Sequence, residues 1–188
     1  MNPIFVAALE VQAFCQAWGV GFCFIGGLAL QRWGEPRLTQ DVDLIVISGF
    51  GREAEYADHF LSTFAPRIPD ARAFALRHRV LLLRSRDGIP LDVALGAMPF
   101  EERAVRRSSP FFVADGVSLM TCGAEDLIVF KAFAGRAQDW IDIEGIALRQ
   151  HRRLDEGLVW QELTPLLELK EDPQTGPRLR RLLEQPIT

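Results

Sequence analysis

The stretch GGLALQRWGEPRLTQDVDLIVI, residues 26–47, decides how the fold of this chain is interpreted. It opens with two glycines and ends in an apolar, β-branched run whose first residues include two carboxylates, Asp41 and Asp43. In a strand, residues two apart lie on the same face, about 6 to 7 Å from each other. At an effective dielectric constant near 20, their repulsion costs on the order of 2 to 3 kcal/mol. A counter-charge is therefore expected, either an arginine such as Arg37 or a divalent cation.

A third carboxylate stands in a second apolar run. Asp92 is the only carboxylate in IPLDVAL, residues 89–95, and it lies on the face opposite the neighbouring apolar side chains. A charge in an apolar strand needs a partner. If this strand lies beside the Asp43 strand, the three carboxylates form a site for Mg²⁺ or Mn²⁺, and one of them can accept a proton. The residues alone leave open a pairing of Asp92 with an arginine and a loop-ending role for Asp41.

The composition narrows the class of protein. The chain has 188 residues, 48% of them hydrophobic, which is enough to bury a core. Its three cysteines are too few and too widely spaced for a disulfide scaffold or a metal knuckle, which indicates reduced thiols. We see no basic leader, and no apolar run approaches the ~18 residues of a membrane span, so we expect a cytoplasmic protein. The net charge of −4 argues against a broad nucleic-acid surface.

Apolar periodicity predicts alternating helices and strands. The expected elements are a helix at 5–18, a strand at 22–25, a helix at 28–33, a central strand at 43–48, a helix at 51–64, strands at 74–84 and 89–95 joined at Asp87-Gly88, strands at 110–113 and 117–120, one helical region at 125–150, helices at 155–163 and from Thr164-Pro165, and a last helix at 178–184. This order predicts an α/β (α+β) class, with a mixed-sheet core at 1–120 and a helical C-terminal extension at 121–188 packed on it.

Lys131 is the main basic candidate late in the chain. At about 100° per residue, Lys131 and Asp142 fall in one narrow stripe of a continuous helix. That face could present the Lys131 ammonium to a phosphate, or Asp142 could orient Lys131. Arg136 and Asp139 have the spacing of an ordinary surface pair, which contributes little. The three histidines share no ligand spacing and are expected to be structural or exposed.

At these residues the chain resembles the nucleotidyltransferase superfamily with the polymerase beta-like fold. The resemblance rests on Gly26-Gly27, on RLTQDVDL at 37–44 and on LDV at 91–93. Together with EDLIVFKAFAGRAQDWIDI at 125–143, these motifs are most similar to those of the AbiE-type toxin nucleotidyltransferases and their minimal relatives. The resemblance covers about residues 20–150 and implies a mixed β-sheet nucleotidyltransferase core.

The resemblance also implies an activity. A nucleoside monophosphate would be transferred from an NTP such as ATP to an acceptor hydroxyl, with release of pyrophosphate. The three carboxylates, Asp41, Asp43 and Asp92, would hold Mg²⁺ or Mn²⁺, and Asp92 would also be the base. The nucleotide-binding residues that it implies are Gly26, Gly27, Arg37, Thr39 and Lys131. Many members carry Gly-Ser where this chain has Gly-Gly, and the change removes a hydroxyl that can contact phosphate.

The acceptor and the partners are left open by the sequence. A tRNA 3′ end, a partner protein and a small molecule such as an aminoglycoside are all compatible with the resemblance. The protein could belong to a toxin–antitoxin pair and bind a cognate toxin or antitoxin. The alternative is a catalytically idle protein of this fold that acts only as a binding partner in such a pair, and the intact carboxylate trio argues against it.

Overall fold

The structure is a computed structural model that describes residues 2–184, within which lie nine α-helices, one 3₁₀ helix and seven strands. The helices are α1 (Pro3–Trp18), α2 (Gly26–Trp33), α3 (Glu53–Leu61), α4 (Ala71–His78), α5 (Pro99–Arg107), α6 (Ala124–Ala134), α7 (Ala137–Gln150), the 3₁₀ helix (His151–Arg153), α8 (Glu156–Lys170) and α9 (Thr175–Leu183). The strands are β1 (Phe22–Phe24), β2 (Val42–Ile47), β3 (Ala65–Pro66), β4 (Val80–Arg84), β5 (Pro90–Gly96), β6 (Ser109–Ala114) and β7 (Val117–Thr121).

The seven strands form one mixed sheet in the order β3-β4-β5-β2-β1-β7-β6. β2 is parallel to β5 and antiparallel to β1, so both of its edges are paired. Four of its six residues are buried, as expected for an apolar strand covered on both faces. The predicted α/β class and the central position of β2 are confirmed.

The chain divides into two compact units. Within the described residues, the first unit comprises 2–28 and 38–122 and contains the whole sheet. The second unit comprises 29–37 and 123–184, and it contains α6 to α9 together with most of α2. Residues 29–37 belong with the C-terminal helices because the Arg149 guanidinium donates to the Gly34 carbonyl and the Gln150 amide donates to the Trp33 carbonyl.

α1 packs on the sheet of the first unit through a buried face that contains one polar residue, Gln12. The Gln12 amide Nε2 donates to the Ser118 carbonyl at 2.8 Å, and its Oε1 accepts from the Met120 N–H at 2.9 Å. Both partners are backbone groups of β7, which is joined to β1 by a single register pair. Gln12 therefore provides hydrogen-bond partners for two backbone groups of β7 that the short β1 does not reach.

The strand predicted at 74–84 is wrong in its first half. Ala71 to His78 form α4, whose Ala71 and Ala75 are buried one helical turn apart. Arg79 ends the helix with φ +56, in the left-handed region, and only Val80–Arg84 continue as a strand. Two small alanines four residues apart are a weak signal for a helix. The apolar residues of the strand that follows made the whole segment resemble a strand.

α5 was not predicted at all, although its first turn carries recognisable signals. Pro99 occupies the first turn, and the Glu101 carboxylate accepts from the backbone N–H groups of Ala97 and Met98, each at 2.8 Å. Proline early in a helix followed by an acidic residue is typical of a helix start. The helix carries few apolar residues, so periodicity alone did not reveal it.

The single helical region predicted at 125–150 is two helices. α6 ends at Ala134 because Gly135 adopts φ +69, and α7 begins at Ala137. By contrast, the two helices predicted at 155–163 and from Thr164 are one, since Pro165 lies inside α8. α9 begins at Thr175, ahead of the predicted 178, because the Asp172 carboxylate accepts from the Thr175 N–H and hydroxyl.

None of the helices within residues 2–184 combines the length and the apolar character that crossing a membrane requires.

Replacing Gln12 by methionine tests the attachment of α1 to β7. Met keeps the volume but leaves a β7 carbonyl and a β7 N–H without their partners, so we expect the free energy of unfolding to fall by about 2 kcal/mol. Urea denaturation with an unchanged m-value measures this loss. Gln16→Met, at an exposed position of the same helix, is the matched control and should stay close to wild type. Equal stability of the two variants would contradict the assignment.

Candidate functional site

Three carboxylates converge where β2 and β5 begin. Asp43 of β2 is the register partner of Asp92 on β5, and Asp41 immediately precedes β2. One carboxylate oxygen from each of the three lies within 4.8 Å of the others, and all three side chains are half-buried. The parallel pairing of β2 with β5 thus provides the juxtaposition on which the predicted metal site depends.

Two glycines allow α2 to begin directly against these carboxylates. Gly26 has φ +55, and a Cβ atom there would lie 2.0 Å from Asp43 Oδ2. A Cβ atom on Gly27 would lie 2.4 Å from the Thr39 hydroxyl oxygen. Side chains at either position would displace a residue of the site, so the glycines are required by the close approach of neighbouring groups as well as by the turn.

The Thr39 hydroxyl supports the first carboxylate. Thr39 is buried, and its hydroxyl donates to Asp41 Oδ1 at 3.0 Å. The same hydroxyl occupies the space that a side chain on Gly27 would need. A serine at position 27 would therefore compete with Thr39 for one place, which gives a physical reason for Gly-Gly in this chain.

Arg67 contacts Asp92, and the sequence analysis did not identify it. Its Nη2 lies 2.6 Å from Asp92 Oδ1. The contact is a close ion pair to a buried oxygen, which no donor among residues 2–184 reaches with hydrogen-bond geometry. Pairing of Asp92 with an arginine was one of the alternatives left open, and it coexists with the carboxylate trio. The signal that identifies Arg67 is the strand register, which the sequence did not provide.

The environment of Asp92 disfavours its charged form. Burial raises the pKa of Asp92, the Arg67 guanidinium lowers it in part, and the negative charge of Asp41 raises it further, so that the pKa lies above its ordinary value. A cation bound among the three carboxylates would reverse this balance. Carboxylate oxygens are hard ligands of the kind that suit Mg²⁺ or Mn²⁺.

In the second unit, two predicted phosphate ligands meet at one carboxylate. Asp142 accepts from Arg37 Nε at 3.1 Å and Nη2 at 3.2 Å, and from Lys131 Nζ at 2.6 Å. The Lys131 side chain is only 5% exposed, whereas that of Arg37 is 41% exposed. Lys131 and Asp142 lie on different helices, so the single-helix stripe is wrong, although the two side chains do meet.

Asp139 lies in the same buried network. Its carboxylate accepts from Arg136 Nε at 2.8 Å and from Lys131 Nζ at 3.4 Å. The expectation of an ordinary surface pair is therefore wrong for Asp139, whose side chain is buried. Burial raises the pKa of Asp142, but hydrogen bonds from Arg37, Lys131 and Gln138 outweigh burial, and the pKa lies below its ordinary value.

The structure thus separates the predicted site residues into two groups. The first unit contains Gly26, Gly27, Thr39, Asp41, Asp43 and Asp92, which lie together around the carboxylates. The second unit contains Arg37 and Lys131, which lie together around Asp142. Their roles in binding nucleotide or metal stay predictions.

Gly26→Ala tests the close approach of α2 to Asp43. The new Cβ would displace the Asp43 side chain in addition to straining the backbone, so we expect a loss of unfolding free energy about 1 to 3 kcal/mol larger than the strain alone. Gly49→Ala is the matched control, because Gly49 has φ +69 and nothing lies within 4 Å of an added Cβ. Urea denaturation of both variants measures the difference, and equal losses would rule out the steric requirement.

Asp142→Asn tests the buried network. Two cations would lose their shared partner, so we expect a loss of about 3 kcal/mol of unfolding free energy at pH 7. Because the folded pKa of Asp142 is lowered, the difference from wild type should be complete above the ordinary value of 3.8 and shrink as the pH falls below it. Glu144→Gln, an exposed charge on the same helix, is the control. A pH-independent difference, measured by urea denaturation between pH 3 and 7, would argue against an ionic contribution.

Comparisons with known proteins relate the chain by structure and not by sequence. No protein-family model matches it. No curated protein sequence matches it either.

Several solved structures are similar, among them the following three. A crystal structure of an antigenic nucleotidyltransferase-like protein from Paracoccidioides brasiliensis has a TM-score of 0.54 at 15% identity, over 100% of this chain and 95% of that one. ANT(2″)-Ia in complex with adenylyl-2″-tobramycin has a TM-score of 0.54 at 14% identity, over 88% and 98%. The lincomycin-bound lincosamide antibiotic adenylyltransferase LnuA has a TM-score of 0.50 at 9% identity, over 75% and 94%. The chain therefore has the mixed α/β fold of nucleotidyltransferase-like proteins.

Proposed function

We propose that this protein is a metal-dependent nucleotidyltransferase that transfers a nucleoside monophosphate from an NTP to an acceptor hydroxyl. The observation that carries the proposal is that one carboxylate oxygen each from Asp41, just before β2, Asp43 of β2 and Asp92 of the parallel strand β5 lie within 4.8 Å of one another. The fold shared with nucleotidyltransferase-like proteins supports the same class of reaction. The similarity of the motifs at 37–44 and 125–143 to AbiE-type toxins belongs to this proposal as well.

The three carboxylates would hold Mg²⁺ or Mn²⁺. When bound, the ion neutralises charge on the triphosphate and stabilises the charge that develops on the transferred phosphoryl group. Thr39 holds Asp41 by a hydrogen bond, and Gly26 keeps the space beside Asp43 free of a side chain. These two residues would maintain the carboxylates in place for the ion.

The start of α2 would bind the triphosphate. The first N–H groups of a helix have no partner within the helix, and they attract anions. Gly26 and Gly27 leave this helix start without side chains, which would let phosphate oxygens approach the backbone. Within the second unit, Arg37 and Lys131 are proposed as phosphate ligands in their own right, and Lys131 would first have to exchange its bond to Asp142.

The chemical step requires an acceptor, an NTP and a base. The acceptor hydroxyl oxygen attacks the α-phosphorus, and a new phosphorus–oxygen bond forms. The bond from the α-phosphorus to the oxygen that bridges to the β-phosphate breaks, and pyrophosphate leaves with the electron pair. We assign Asp92 as the base that receives the hydroxyl proton. Asp92 lies beside Asp43 in the register of β5 with β2, so this base would stand next to the other two carboxylates.

The next question is which class of molecule accepts the nucleotide. Two of the similar structures contain antibiotic molecules, an adenylylated tobramycin and lincomycin, which makes a small molecule with free hydroxyls the first class to test. A tRNA end and a partner protein, which the AbiE-type resemblance suggests, are the other two.

Transfer of label from each α-³²P NTP tests the function. With Mg²⁺ or Mn²⁺ and fractions of a cell extract, the wild-type protein should label an acceptor, and Asp43→Ala should reduce labelling at least about 100-fold because a metal ligand is lost. Asp115→Ala, at an exposed aspartate of the β6–β7 turn, is the control and should label as well as wild type.

Equal labelling by wild type and Asp43→Ala would overturn the proposal. A stable complex with another protein that is unaffected by Asp43→Ala, combined with no stabilisation of wild type by any NTP, would instead support the catalytically idle alternative.

A further inference from the structure

A row of register positions runs across four neighbouring segments of the sheet and ends at the carboxylates. The Arg67 N–H, directly after β3, donates to the Leu82 carbonyl of β4 at 2.9 Å. Leu82 is the register partner of Asp92 on β5, and Asp92 is the register partner of Asp43 on β2. Residues in one row of a sheet present their side chains on the same face. Arg67 therefore lies on the face of the carboxylate trio, two strands from Asp92.

The distance across the row restricts which residue can reach Asp92. Neighbouring strands lie about 4.8 Å apart, so the backbones at positions 67 and 92 are about 10 Å apart across Leu82. A long side chain at position 67 is needed to meet the Asp92 carboxylate, and the Arg67 guanidinium makes the contact at 2.6 Å. β3 is only two residues long, yet it places Arg67 at this register position.

The two oxygens of Asp92 have different environments. Oδ1 is the oxygen that Arg67 contacts, and it is buried from solvent. The Asp92 side chain as a whole is nevertheless 29% exposed. Because Oδ1 is buried, the oxygen of Asp92 that solvent contacts is Oδ2. Oδ2 is therefore the oxygen that an ion in solution can reach.

We propose that Arg67 is a positioning residue of the metal site: by holding Oδ1, it directs Oδ2 of Asp92 toward Asp41 and Asp43. The inference rests on the proposed function and adds a residue to it. A carboxylate held at one oxygen loses rotation about its terminal torsion, which is otherwise broad. Partners that orient ligating carboxylates in this way typically contribute 10- to 100-fold to metal affinity.

Binding of Mn²⁺ to the folded, nucleotide-free protein tests this role. The electron paramagnetic resonance signal of free Mn²⁺ gives the dissociation constant without a requirement for activity. Arg67→Met should weaken binding about 10- to 100-fold, and Arg67→Lys, which keeps the positive charge on a somewhat shorter side chain, should recover part of the loss. Arg72→Met is the matched control, because Arg72 pairs with an exposed aspartate, Asp58, at the same 2.6 Å.

Urea denaturation of each variant separates positioning from stability. A merely structural ion pair would lower the free energy of unfolding but leave the Mn²⁺ dissociation constant of the folded protein unchanged, and that result would overturn the inference. Tighter Mn²⁺ binding by Arg67→Met would also overturn it, since repulsion between two cations would then outweigh orientation. If Arg67→Met does not fold, the Mn²⁺ dissociation constants of wild type and Arg67→Lys are compared instead. Weaker binding by Arg67→Lys would support the inference, and equal or tighter binding would overturn it.

The failure of the inference differs from the failure of the proposed function. Wild-type protein that binds Mn²⁺ no better than Asp43→Ala would contradict the metal site itself and, with it, the role of Arg67. Wild-type protein that binds Mn²⁺ through Asp43, while Arg67→Met binds it equally well, would leave the proposed function in place and refute only the positioning role.

Discussion

The parallel pairing of β2 with β5 is the constraint on which the site depends. Six register pairs, from Val42 with Leu91 to Ile47 with Gly96, place Asp43 beside Asp92. A slip of one residue would turn Asp92 into the apolar core and turn Leu91, Val93 and Leu95 out of it. The alternation of buried residues along β5 opposes such a slip, so the same apolar packing that builds the sheet also fixes the carboxylates.

Each unit contains a carboxylate with a shifted pKa, and the two shifts have opposite directions. Asp142 is surrounded by donors that lower its pKa, so its charged form stabilises the fold above the pH at which an unfolded aspartate ionises. Asp92 has a raised pKa, so its ionisation becomes a cost to the folded state as the pH rises. A group that destabilises the fold at neutral pH is what a binding or catalytic site is expected to contain.

Much of the site could be predicted because its signals are local. The two-residue period of a strand places Asp41 and Asp43 together, and the Asp87-Gly88 turn identifies β5 as the antiparallel partner of β4. Arg67 could not be found in this way, because its contact with Asp92 depends on two further strand registers. α4 escaped detection because its buried face consists of two small alanines, and α5 because few of its residues are apolar, so periodicity gave too weak a signal.

The residue types alone determined that the carboxylates in and beside the two apolar strands need partners, since a charge in an apolar strand requires one whatever the fold. They did not determine which partner, because Arg67 and Asp92 are brought together by three neighbouring segments of one sheet. Tertiary structure likewise made Gly26 necessary, through the Asp43 carboxylate that lies where its Cβ would be. It also buried Lys131 against Asp142 by a turn at Gly135. In each case the deciding contact joins residues far apart in the chain, and only strand register and helix packing set its distance.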